Sequence, residues 1–123
     1  MAEAKAMTHA AAAHLEAVGP EAAFADFGNL DDKRWHDRDL YVVVIDHDAV
    51  VMVHGVRPSL NNRPTRSVRD VDGKPFPEEM LALEAPGWVR YKWMNPVSET
   101  VEPKASYVVR SGDYRVLVGA YDQ

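Results

Sequence analysis

Apolar and polar positions follow three different rhythms along this chain. From residue 2 to residue 18, Ala4, Met7, Ala11, Leu15 and Val18 recur at three- and four-residue spacing in a stretch dominated by alanine, the strongest helix former. Gly19-Pro20 stops that helix. Glu21 to Phe27 adds a turn or two ending near Gly28, with Phe24 and Phe27 on one face. Asn29 to Asp39 is polar and aperiodic. Then the rhythm changes: Leu40 to Asp46 (LYVVVID) and Val50 to His54 (VVMVH) are β-branched runs joined by an Asp/His turn, which predicts a hairpin. LYVVVI is apolar at every position, so this strand is expected to be central and covered on both faces.

Gly55 to Lys74 is a long Arg-, Asn-, Pro- and Ser-rich connection, and a connection of that length in a compact domain is often functional. Pro75 and Pro77 lead into a short helix over EEMLALE, with acidic residues in its first turn. Pro86-Gly87 ends it. Three further strands follow, Gly87 to Met94, Glu102 to Arg110 and Tyr114 to Tyr121, separated by the turns NPVSET and SGD. The order predicts an α+β domain. A five-stranded antiparallel sheet carries the long N-terminal helix on one face and the loop with the short helix on the other. A chain of 123 residues is expected to form one domain, residues 1–123.

Charge and composition narrow the function. The net charge is −5 and the 14 Lys and Arg are scattered, which argues against nucleic acid. Arg57, Arg63, Arg66 and Arg69 read first as a solvated loop. With no cysteine there is no disulfide, thiol nucleophile or cysteine-based zinc site. No apolar run approaches the roughly 18 residues of a membrane span, and the N-terminus lacks the pattern of a signal peptide.

The chemistry concentrates in GWVRYKWMNP, residues 87–96. Strand alternation places Val89, Tyr91 and Trp93 on the covered face, and Trp88, Arg90, Lys92 and Met94 toward solvent. In the next strand Lys104, Ser106 and Val108 share one face, and Ala105, Tyr107 and Val109 the other. A lysine beside Tyr91 and Trp93 is costly in a dry core. Pattern alone leaves two readings: Lys104 meets an anionic guest, or it snorkels to the sheet edge.

In order along the chain stand a hairpin closing on His54-Gly55, then GKPF at Gly73 to Phe76, and GWVRYKW at Gly87 to Trp93. PKASY at Pro103 to Tyr107 and VGAY ending at Tyr121 complete the series. Together they resemble the single Cache domain family, over about residues 2–121. The resemblance implies a PAS-like fold with a five- or six-stranded sheet, and an extracytoplasmic sensor of small molecules. Its ligand would be a small carboxylate of the acetate, pyruvate or lactate type, held between the sheet and the covering segment. The motif positions imply ligand contacts from Tyr91, Trp93, Lys104, Ser106 and Tyr107, with Tyr41 and His54 on the hairpin and Arg57 and Asn61 in the loop. No cofactor and no metal are expected. Sensor relatives continue into a membrane helix and a signalling module, whereas this chain ends at Gln123, as an excised or free-standing domain would. The N-terminal helix offers a face on which two chains can pair as a homodimer.

Other clusters weigh less. His9 and His14 are five apart, the wrong spacing for one helical face. His36-Asp37 and Asp46-His47-Asp48 read as surface turn chemistry. DVDG lacks the later ligands of a calcium loop. No serine sits in a strand-turn-helix elbow, and a Ser106–His54 pair lacks a third group. The expected protein is therefore not an enzyme. The alternatives are a small cofactor-free enzyme built on His54, and a non-binding interaction module.

Overall fold

The structure, a computed structural model, describes residues 2–121. Helix α1 (Ala2–Val18) and helix α2 (Pro20–Phe27) open the chain. They are broken apart at Gly19, whose φ of 87° lies in the left-handed region that glycine tolerates. Six strands follow: β1 (His36–Asp37), β2 (Leu40–Ile45), β3 (Val51–His54), β4 (Gly87–Met94), β5 (Val101–Ser111) and β6 (Tyr114–Tyr121). Helix α3 (Phe76–Ala82) stands between β3 and β4, and a 3-10 turn at Pro58–Leu60 interrupts the long connection. The segment from Asn29 to Asp39 is not wholly irregular, because His36 and Asp37 add the short strand β1 against Leu40 and Tyr41.

All pairings are antiparallel, in the order β1-β2-β6-β5-β4. One edge of β2 is shared: β1 takes Leu40 and Tyr41, and β3 takes Val43 to Ile45 with a register shift after Val44. All six residues of β2 are buried, as its unbroken apolar run requires of a strand covered on both faces. The hairpin turn between β2 and β3 is held by Asp46, whose Oδ1 accepts the N–H groups of Asp48 (2.8 Å) and Val50 (2.9 Å).

The sheet separates two apolar cores. Against one face, Ala4, Ala11, Leu15 and Phe27 of the helices pack on Val42, Val44, Val116 and Val118. Against the other, Phe76 and Met80 of α3 pack on Val43, Ile45, Tyr91 and Leu117. Alanine suits α1 because it lets the helix lie close to the sheet, and Ala4 and Ala11 are fully buried. Trp88 does not face solvent as alternation alone suggested. It is partly buried against the helix-side core, edge-on to Tyr107 at 5.0 Å. Helix α1 packs on β5 and β6, so Trp88 at the start of β4 sits at the margin of that covered surface, and Arg90, next on the same face, is exposed.

His36 is likewise no surface turn residue. It is buried, and its Nε2 donates to the carbonyl of Gly55 at 2.8 Å. That bond fixes where the chain leaves β3. The approach is so close that a Cβ on Gly55 would lie 2.9 Å from the Val42 carbonyl oxygen and 3.1 Å from His36 Nε2.

Candidate functional site

Between the sheet and the covering segment lies a cavity of about 110 Å³. Its floor is Val43, Ile45, Val51, Leu117, Tyr91 and Lys104, and its roof is Leu60, Thr65, Val68, Phe76, Pro77 and Met80, with His54 and Trp93 also in its wall. A single water needs roughly 10–15 Å³ of such space and a drug-sized ligand some 300 Å³ or more, so this volume suits a molecule of a few heavy atoms. The aromatic stretch that drew attention in the sequence builds one side. Tyr91 stacks face to face on Phe76 (4.1 Å, 4°), and Trp93 meets Phe76 edge-on at 5.4 Å.

The register brings Lys104 directly opposite Tyr91, and Ser106 opposite Val89, on this face. Lys104 does not snorkel: it is 4% exposed. Its Nζ donates to Tyr41 Oη at 3.0 Å and stands over three phenol rings, 4.7 Å from the centroid of Tyr41, 5.1 Å from Tyr121 and 5.6 Å from Tyr91. Among the described residues the lysine ion pairs are Lys74–Glu79 and Lys92–Asp72, and Lys104 has none.

The phenol hydrogens are spoken for. Tyr121 Oη donates to the Met94 carbonyl at 2.8 Å, so the 3.1 Å contact between Tyr41 and Tyr121 must be a bond from Tyr41 to Tyr121. The chain of donation runs from Lys104 through Tyr41 and Tyr121 to a backbone carbonyl, and it leaves two ammonium hydrogens unused. Tyr91 Oη shares a bond with Ser106 Oγ at 2.9 Å. Burial works against the Lys104 charge, but the oxygens of Tyr41, Tyr91 and Tyr121 outweigh it and raise its proton affinity. With their hydrogens placed in the bonds just traced, Tyr41 and Tyr121 offer the ammonium lone pairs and ring faces.

His54 sits beside this cation with its ring 5.1 Å from that of Tyr41. Its Nδ1 accepts the backbone N–H of Arg57 at 2.9 Å and of Val56 at 3.3 Å, so the neutral ring carries its hydrogen on Nε2. Burial first, then the Lys104 and Arg57 charges, hold its pKa down to about 3. The ring is therefore a fixed N–H donor across the ordinary pH range. Asn61 serves the same turn from the other side, its Oδ1 accepting the His54 backbone N–H at 2.8 Å.

The nine residues expected to contact a ligand thus separate. Lys104, Tyr91, Trp93 and His54 line the cavity. Tyr41 and Ser106 stand behind it, fixing Lys104 and Tyr91. Asn61 shapes the loop. Arg57 lines a more open groove with Arg69, Asp70, Lys92 and Trp93. Tyr107 points the other way: its ring lies under α1, 5.3 Å from His9 and next to Trp88, because it has the opposite parity to Lys104 in the same strand. The Ser106–His54 pair does not form as a hydrogen bond among the described residues, each having the other partners named above. Phe76, Met80 and Tyr121 are the site residues that were not singled out beforehand.

A family model described as single Cache domain 2 matches residues 8–122. The chain belongs to that family. The Cache domain is 30% identical over 88 residues to a methyl-accepting chemotaxis protein, McpP, of Pseudomonas putida; the match covers 69% of this chain and spans 16% of that receptor's length. Among solved structures, a methyl-accepting chemotaxis protein of Vibrio parahaemolyticus superimposes with a TM-score of 0.82 at 18% identity, over 97% of this chain and 86% of its own. A periplasmic sensor domain of a chemotaxis protein gives 0.78 at 24% identity, over 94% and 88%. A third, described as the structural basis for carboxylic acid recognition by a Cache chemosensory domain, gives 0.75 at 24% identity, over 91% and 82%. The six-stranded sheet and N-terminal helix of this Cache domain are those of the PAS-like sensor fold.

Proposed function

We propose that this Cache domain is a sensor module that binds a small organic acid reversibly, in the cavity beneath α3, without chemistry on it. The observation that carries the reading is Lys104: a buried ammonium at the cavity wall with no carboxylate partner among the described residues and two hydrogens to give. A carboxylate is acceptor-only and takes such donors well. Lys104 supplies the charge and His54 Nε2–H a second donor, while Tyr91, Trp93, Phe76 and Met80 enclose the carbon chain and exclude water. Acetate, propionate, pyruvate and lactate have suitable size. A Cache chemosensory domain of the same fold recognises carboxylic acids, which agrees with this reading.

Neither His54 nor Ser106 is arranged as a base or nucleophile, since His54 Nδ1 and the Ser106 hydroxyl are both engaged. That favours binding over turnover. In a receptor like the chemotaxis protein it resembles, such a module would stand outside the cytoplasmic membrane and report occupancy through the connection between Gly55 and Lys74, with α1 as the face on which two copies pair. The test is a thermal-shift screen of the domain, unfolded and refolded to clear any bound metabolite, against small acids and amino acids. A rise in melting temperature with one class of acid supports the reading, and none with any acid refutes it.

A further inference from the structure

The cation of the cavity belongs to β5, its hydrogen-bond partner Tyr41 belongs to β2, and β6 runs between them. Neighbouring strands lie about 4.8 Å apart. The Lys104 stem must therefore pass across β6 before its Nζ comes within 3.0 Å of Tyr41 Oη. It passes at Gly119. In the register Gly119 lies opposite Ser106, two residues before Tyr121, which lies opposite Lys104, so all four share one face. A Cβ on Gly119 would stand 2.0 Å from Lys104 Cε, 3.0 Å from Lys104 Cδ and 2.8 Å from Ser106 Oγ. Carbon atoms not bonded to each other pack best at about 3.5–4.0 Å, so a methyl group and this lysine conformation exclude one another.

The backbone gives no other reason for the residue. The glycines with positive φ are Gly19, Gly73 and Gly112, and Gly119 is not one of them. Glycine in a strand interior weakens it, and commonly marks a place where something must approach the backbone closely. Here that something is the lysine stem.

We infer that Gly119 is a positioning residue for ligand recognition: the slot left by its missing side chain sets where the Lys104 ammonium stands. The inference rests on the carboxylate reading above. With the slot open, the stem lies flat on β6 and the charge is delivered among Tyr41, Tyr91 and Tyr121, at the cavity wall. With the slot filled, the stem swings off β6 and the charge leaves the phenols. The cavity then keeps its apolar walls and loses its preference for anions.

Two readouts test this. In Gly119→Ala the affinity for propionate, measured by calorimetry, is expected to fall at least tenfold. Burial and the bond to Tyr41 predict a slowly exchanging Lys104 ammonium signal in nuclear magnetic resonance of the parent, and in Gly119→Ala that signal should be lost. The same substitution is also made in a Lys104→Ala background, where the methyl group enters a vacated slot. There it should lower the melting temperature clearly less than in the parent. Ser106 is unchanged in both backgrounds, so its share of the crowding cancels. Should Gly119→Ala alone fail to fold, recovery of folding by added Lys104→Ala supports the slot, and no recovery overturns it. Propionate affinity within threefold of the parent, or an equal loss of melting temperature in both backgrounds, also overturns it. A parent domain that binds no carboxylate refutes the function proposed above, and the pair of melting temperatures then decides the slot by itself.

Discussion

Replacing Lys104 with methionine keeps an unbranched apolar stem, one atom shorter, and removes the charge. In the unliganded domain the change deletes one charged hydrogen bond, to Tyr41 at 3.0 Å, and such bonds contribute about 1.5–3 kcal/mol. It also removes an ammonium that is 4% exposed without a counter-ion among the described residues, and burying a charge of that size costs several kcal/mol. The phenol oxygens and ring faces around the ammonium offset that cost, so unliganded Lys104→Met should melt within about 5 °C of the parent. Binding behaves oppositely. Truncating one partner of a buried, hydrogen-bonded charge pair costs about 2–5 kcal/mol, or roughly 30-fold to several thousandfold in affinity. Calorimetric titration gives the affinity directly, and thermal shift gives it indirectly. A ligand at 100 times its dissociation constant adds about 2.7 kcal/mol, or roughly 10 °C for a domain this size. Lys104→Met should lose that rise. Binding within threefold of the parent would refute the role of the charge. A fall of more than about 5 °C in the unliganded melting point would show that Lys104 is there for the fold.

Further expectations concern the hairpin and its exit. His54 has its pKa near 3 in the folded domain against 6.5 in an unfolded chain. The unfolded chain therefore takes up a proton that the native state refuses. The stability contribution is full above pH 6.5 and is lost as pH falls toward 3, at up to about 1.4 kcal/mol per pH unit. His54→Asn keeps an acceptor for the Arg57 N–H and should flatten the fall of melting temperature between pH 6.5 and 4.5; an unchanged slope would contradict the assignment. Gly55→Ala drives a methyl group against the Val42 carbonyl and the His36 ring. It should destabilise the domain by about 1–3 kcal/mol in urea unfolding, and an unchanged midpoint would mean that the exit from β3 is looser than described.

How much of this is legible in the sequence depends on the distance over which a signal acts. The strands are legible because alternation and β-branching are local, and β2 announces its central place by having no polar position at all. The pairing of Tyr91 with Lys104 follows from the parity of residues in two neighbouring strands. The same parity excludes Tyr107 from the cavity, and the motif resemblance pulled it in only by ignoring that rule. Tyr121 is also recoverable: counting back from the two-residue turn Gly112–Asp113 brings it opposite Lys104. The chain of phenols is not. It requires Tyr41 to face a lysine 63 positions away across an intervening strand, and nothing local encodes that distance. Phe76 and Met80 were missed because a short helix of seven residues carries too few turns for its buried face to stand out. His36 was misjudged because a histidine beside an aspartate looks like a turn, and only the approach of Gly55 gives it a buried partner.

The central claim is that the cavity recognises a negative charge enclosed by apolar walls. Propionate and propionamide are nearly identical in shape and differ in that charge. Titrating the refolded domain with each, in one calorimetric series at constant ionic strength, tests the claim most directly. Saturable one-to-one binding of the acid, with the amide at least thirtyfold weaker, is the predicted result. Equal affinity for the two, or none for propionate, acetate, pyruvate or lactate at millimolar concentration, would contradict it.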